Sequence, residues 1–156
     1  MNDLANTRRP ETIHQGQQRP YAGDILSPEA WKYLAEDPNA VLIDVRTQAE
    51  WVYVGVPDLA PLGKTALFAE WQRFPEMDRN PTFAQQVAAA GITPDQTVLL
   101  ICRSGARSAQ AAAQLTTLGY ERCFNVVDGF EGGLDQNSHR NRLGGWKVAD
   151  LPWKQG

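Results

Sequence analysis

Short apolar runs separated by helix-like stretches set the pattern of this chain. "AGDIL" (Ala22–Leu26), "VLIDV" (Val41–Val45), "TVLLI" (Thr97–Ile101) and "RCFNVV" (Arg122–Val127) read as strands, and "KTALFAEW" (Lys64–Trp71) as a weaker one. Runs that are apolar almost throughout belong to strands covered on both faces, as in parallel sheets. Between them lie helix signals. Ser27-Pro28-Glu29 supplies a capping hydroxyl and a proline suited to the first helical position, opening a helix to about Glu36. Asn80-Pro81 opens another, over "TFAQQVAAA", closed by Gly91. A third follows "TVLLI" and runs to Leu118, with Gly119 as its stop. The alternation predicts an α/β fold with a central parallel sheet flanked by helices.

Two segments fall outside this alternation. Residues 1–20 are polar and read as a poorly ordered extension preceding one domain over 21–156. Gly129–Gly145, "GFEGGLDQNSHRNRLGG", is a long glycine-rich connection that begins at a strand end. Connections of this length are uncommon in compact domains unless they carry function or mobility. His139, Arg140 and Arg142 are its candidates for a place near an anionic ligand, with a solvated surface loop as the alternative. "WKVADLPW" then returns apolar groups to the flank of the domain.

Composition narrows the function. The net charge of −3 provides no basic field for nucleic acid. No apolar run approaches the ~18 residues of a membrane span, and the N-terminus lacks the apolar core of a signal peptide, so a cytoplasmic protein is expected. The two cysteines, Cys102 and Cys123, are too few for a disulfide framework, and neither they nor His14 and His139 show metal-ligand spacing. A zinc site is therefore not expected.

Strands of a parallel sheet end on one edge, which is where open α/β sheets bind ligands. That edge receives Cys102, Asp44, Arg46, Asp128 and Gly129. Cys123 begins its strand instead, on the order of 15 Å from Cys102, too far for a disulfide. Cys102 opens the stretch "CRSGARS", at the junction of a strand and a helix. The helix dipole, the cations Arg103 and Arg107, and the N–H groups of Arg103, Ser104, Gly105, Ala106, Arg107 and Ser108 all favour negative charge there. Gly105 sits where a curled loop demands a positive φ. The combination describes a thiolate nucleophile on the floor of an anion cradle.

"CRSGARS" closely resembles the active-site loop of rhodanese-like sulfurtransferases. "LIDVRTQAEW" (Leu42–Trp51) resembles the family's Asp-x-Arg segment with its following Glu-aromatic pair, and "GFEGGL" and "GGWKVADLPW" resemble its C-terminal part. The similarity spans about Ala22 to Trp153. It implies the three-layer rhodanese-like fold. It also implies ping-pong transfer of a sulfane sulfur, without a metal or organic cofactor, from thiosulfate or a persulfide donor through a Cys102 persulfide to cyanide or a thiol. By the same resemblance, the loop N–H groups stabilise the persulfide and the substrate anion, and Arg103 and Arg107 draw in the anionic donor. Asp44 and Arg46 support the loop, and Glu50 is structural.

One departure from the family pattern stands out, and loop length separates the chain from one rival. The family's Gly-His-Ile after the Glu-aromatic pair is replaced by the longer "VYVGVPDLAPLGKTALFAEWQRFPEM", where Trp51, Phe68, Trp71 or Phe74 would line a pocket or pack in the core. Cys102 to Arg107 is Cys-x4-Arg, one residue shorter than the phosphate-enclosing Cys-x5-Arg loop of cysteine phosphatases and arsenate reductases. A non-catalytic binding module is the remaining alternative. The spacing identifies no protein partner.

Overall fold

The computed structural model of the chain describes residues 9–13 and 18–155. Five parallel strands form the central sheet: β1 (Gly23–Ile25), β2 (Val41–Asp44), β4 (Leu67–Phe68), β7 (Val98–Ile101) and β8 (Cys123–Val126). Their spatial order is β1-β8-β7-β2-β4. Helices α1 (Ser27–Glu36), α2 (Gln48–Tyr53), α3 (Phe83–Ala89) and α4 (Ala106–Thr117) connect them. Four short strands make two antiparallel pairs outside the sheet: β3 (Val56–Pro57) with β9 (Trp153–Lys154), and β5 (Gln72–Arg73) with β6 (Asp78–Arg79).

The pleat sorts the apolar runs into two cores. On β7, Val98 and Leu100 face the core that contains Phe83, Val87, Ala111, Ala112 and Leu115, while Leu99 and Ile101 face the one built on Ala30, Leu34, Phe130 and Trp146. All four β7 side chains are buried. This is the three-layer α/β arrangement anticipated from the continuous runs. Alanine at 111 and 112 lets α4 lie close on β7 and β8, which brings its first turn over the sheet's carboxyl edge.

Several details differ from the sequence expectations. Ser27 is the first residue of α1 rather than its cap: Leu26 holds the cap position and offers no side-chain acceptor. The Ser27 hydroxyl and N–H are instead donated to Asp128, at 2.7 and 3.0 Å. The weak strand over Lys64–Trp71 contracts to Leu67–Phe68, pairing with the end of β2. Lys64 does other work, since its Nζ donates to the carbonyls of Leu34, Asp37 and Ala40, at 2.9, 2.7 and 2.8 Å. Asn80 is buried and caps from a distance, accepting from the N–H and hydroxyl of Thr82 before α3 begins at Phe83. Helix α2 was not anticipated. A capping box starts it, with Thr47 and Glu50 bonding each other reciprocally.

The expected loose extension over 1–20 lies partly outside the described residues, as does His14. Within them, residues 9–13 lie on the sheet: Ile13 bridges Asp24 and Arg9 stacks on Phe124, 5.4 Å from its ring centroid. No helix among the described residues is long and apolar enough to cross a membrane.

Replacing Lys64 by methionine leaves three carbonyls at the end of α1 without their shared donor. The site is half-buried, so the expected loss is about 1 kcal/mol in urea unfolding, with an unchanged m-value.

Candidate active site

Strand β7 ends at Ile101 and α4 begins at Ala106, so the loop between them is short and starts at Cys102. Its sulfur is buried, with the residue 2% exposed. Two N–H groups donate to it, that of Gly105 at 3.1 Å and that of Ser108 at 3.4 Å, and the Ser108 hydroxyl oxygen lies 3.2 Å away. Of the N–H groups expected to form the cradle, those of Gly105 and Ser108 close on the sulfur itself. The first turn of α4 adds its positive end. Donors aimed at one sulfur are what a negative charge there requires.

Backbone contact holds the loop in place. Gly105 has φ +105°, and a Cβ at that position would stand 2.4 Å from the Val127 carbonyl oxygen. Gly129 has φ +66°, and its Cβ would stand 2.3 Å from the Arg103 carbonyl oxygen. The loop's own carbonyls are used as well, Cys102 accepting from Phe130 N–H (2.8 Å) and Arg103 from Glu131 N–H (3.0 Å). The start of the Gly129–Gly145 connection is therefore the wall of the cysteine loop. Its later residues lie elsewhere: His139 and Arg142 are exposed, and Arg140 donates to the Gly132 carbonyl.

Asp44 and Arg46 are fully buried and paired, with Nη2 to Oδ2 at 2.7 Å. Arg46 also donates to the Gly55 carbonyl and lies on the Phe130 ring, 4.3 Å from its centroid. The pair thus meets the cysteine loop through Phe130, whose N–H binds the Cys102 carbonyl. Asp128 fastens the same wall to α1 through Ser27. Burial raises its pKa above the ordinary aspartate value, against the opposing bonds from Ser27 and the Gly145 backbone.

Arg107 departs from its expected role. Its guanidinium does not stand open to an anion but is clamped by Glu50, at 2.7 and 2.9 Å. Burial would push the Glu50 pKa up, yet the Arg107 bonds and charge, helped by Thr47, hold it down at about 2. Glu50 therefore joins α2 to the helix that follows the cysteine, and Arg103 is left as the exposed cation of the loop.

The aromatic candidates divide. Trp71 is core, edge-on to Phe83 with its N–H donated to Gln110. Trp51 and Phe68 pack edge-to-face at 5.3 Å and line a surface groove with Val52, Val56 and Lys154. Phe74 is 63% exposed. Cys123 is buried at the opposite end of β8, paired in register with Val98, and burial pushes its pKa up to about 12. No cluster of three metal-ligating side chains occurs among the described residues.

Known proteins share the sequence pattern and the fold of this chain. Residues 23–156 match the family described as STR4 middle domain. Rv0390 from M. tuberculosis, known from its crystal structure, is 44% identical, with a TM-score of 0.79 over 87% of this chain and 99% of that one. The chloroplast protein THYLAKOID RHODANESE-LIKE of Oryza sativa subsp. indica is 30% identical over 88% of this chain, which matches 26% of that longer protein. The chain belongs to the rhodanese-like family. The polysulfide-sulfur transferase of Wolinella succinogenes shares the fold of this rhodanese-like chain, with a TM-score of 0.59 at 22% identity over 88% of this chain and 80% of that one.

Asn125, in the middle of β8, was missed in the sequence. It bonds Ser108 from below, and its only signal was one polar residue inside the run "CFNVV".

Two outcomes follow from the loop's supports. Gly129→Ala forces a Cβ into the Arg103 backbone at a positive φ, and we expect it to displace the cysteine loop, lowering Tm by several degrees. Glu50 is ionised in the folded state down to about pH 2, against 4.5 as its ordinary value. Its folded pKa is depressed, so its contribution is complete above pH 4.5 and is lost as pH falls toward 2. Glu50→Gln lacks that increment, and the stability difference between it and wild type should shrink across that window in acid unfolding.

Proposed function

We propose that this protein is a sulfurtransferase that carries a sulfane sulfur on Cys102. The observation behind this reading is the convergence of two backbone N–H groups on a buried sulfur at the head of a helix. In the first half-reaction the Cys102 thiolate attacks the outer sulfur of thiosulfate or of a persulfide. A new S–S bond forms, the donor's S–S bond breaks, and sulfite or a thiolate leaves with the electron pair. In the second, a thiol or cyanide attacks the outer sulfur of the Cys102 persulfide, and the thiolate is restored. Atoms and electrons balance without an oxidant, metal or organic cofactor. The exposed Arg103 is the residue that would attract an anionic donor.

The clamp on Arg107 counts against the phosphatase alternative. A phosphate-enclosing loop needs its arginine directed at the anion, whereas here Glu50 neutralises it in a bidentate pair. The retained thiol, with donors aimed at it, favours chemistry over a purely binding role.

Intact-mass analysis tests the proposal. Incubation with thiosulfate or glutathione persulfide should add about 32 Da, one sulfur atom, to wild type and nothing to Cys102→Ser, and cyanide should remove it. Absence of the adduct with both donors would overturn the assignment.

A further inference from the structure

A chain of hydrogen bonds runs from the Cys102 sulfur through the sheet to the edge strand. Ser108 Oγ lies 3.2 Å from the sulfur and 2.5 Å from Asn125 Oδ1. Asn125 Nδ2 lies 3.1 Å from Asp24 Oδ1 and 3.2 Å from the Gly105 carbonyl oxygen. Asp24 in turn accepts from Tyr21 Oη and Arg19 Nε, at 2.7 and 2.8 Å. Both partners of Nδ2 are acceptors only. Reversing the amide would set its oxygen against them, so the orientation is forced. Asn125 therefore presents an acceptor to Ser108.

A serine hydroxyl has one proton. Two oxygens 2.5 Å apart need a proton between them, so the Ser108 proton goes to Asn125 and a lone pair faces the sulfur. A thiol fits this polarity, because S–H can donate to Oγ while Oγ donates to Oδ1. A persulfide is not penalised by it, because its inner sulfur has no proton to give and its charge sits on the outer sulfur. A bare thiolate does not fit it: it gains the hydroxyl bond only by taking the proton from Asn125, whose buried oxygen then loses its donor.

We infer that Asn125 is a positioning residue that withholds the Ser108 proton from Cys102, destabilising the thiolate relative to both the thiol and the persulfide. This deepens the sulfur-transfer reading and rests on it. A thiolate denied one hydrogen bond is the stronger nucleophile, and the persulfide is favoured over its precursor. The other charged groups around the chain are paired: Arg107 with Glu50 from α2, Asp44 with Arg46 at the end of β2, Asp24 with Arg19 before β1, and Asp128 with Ser27 at the end of β8. The exposed Arg103 lies on the loop itself.

Iodoacetamide alkylation of Cys102 against pH reads the effect without any sulfur donor. Cys123, held at about 12, stays silent. Asn125→Val removes the acceptor at similar volume and frees the hydroxyl to turn to the sulfur. Its profile should move about one pH unit to the acid side, a tenfold faster reaction on the acid limb. The plateau rate should fall about threefold as nucleophilicity drops with basicity. In a Ser108→Ala background the same substitution should change neither. An unshifted profile, or an equal shift in both backgrounds, would overturn the inference.

Should Asn125→Val fail to fold, Asn125→Ala decides: it too removes the acceptor facing Ser108 Oγ, with no branched side chain to fit beside Asp24 and the Gly105 carbonyl. The profile should again move to the acid side, and an unshifted one again overturns the inference. An unshifted alkylation profile counts against Asn125 alone, and a missing sulfur adduct counts against sulfur transfer alone.

Discussion

Placing a negative sulfur inside a protein requires donors that cannot turn away, and here that constraint is met by backbone packed directly on backbone. Gly105 rests on Val127 and Gly129 rests on Arg103 at distances that leave no room for a Cβ. The cysteine loop is thereby locked to the end of β8 and to the turn beyond it. With the loop locked, the Gly105 and Ser108 N–H groups stay aimed at the sulfur. Preorganised dipoles of this kind stabilise charge without the reorganisation that water would need.

Around this lock the polar residues of the site form three buttresses. Asp44 and Arg46 stand behind Phe130, Asp128 ties the wall to α1, and Glu50 clamps Arg107. Each is a charge that burial penalises and each has a polar partner, though the bonds to Asp128 offset its burial only in part. Glu50 shows the balance most directly, since its opposing influences leave it strongly acidic despite burial. The Asn125 chain differs from these three because it ends on the sulfur itself. It adds a choice of proton position where the buttresses add only rigidity.

The groove beside α2 sets this chain apart from the expected family pattern. In place of the family's Gly-His-Ile, the longer connection after Trp51 delivers β3, β4 and the β5–β6 hairpin. The Trp51–Phe68 pair and Val52, Val56 and Lys154 then form an apolar surface one residue along α2 from the Glu50 clamp.

The sequence by itself determined the layers, the strands and the cysteine loop, because these depend on local periodicity and on short spacings. Short continuous apolar runs bounded by turn and helix-cap residues are the signature of doubly covered strands, and "CRSGARS" places sulfur, glycine and helix start close together in the chain. Only the tertiary structure decided which cation meets which anion. Arg107 and Glu50 are 57 positions apart, as Ser27 and Asp128 are 101 apart, and nothing local marks either pair. The same holds for Asn125, whose meaning lies in Asp24 and Ser108 on neighbouring elements. Charge pairing and proton placement are properties of distances across the sheet, and those exist only once the strands have been set side by side.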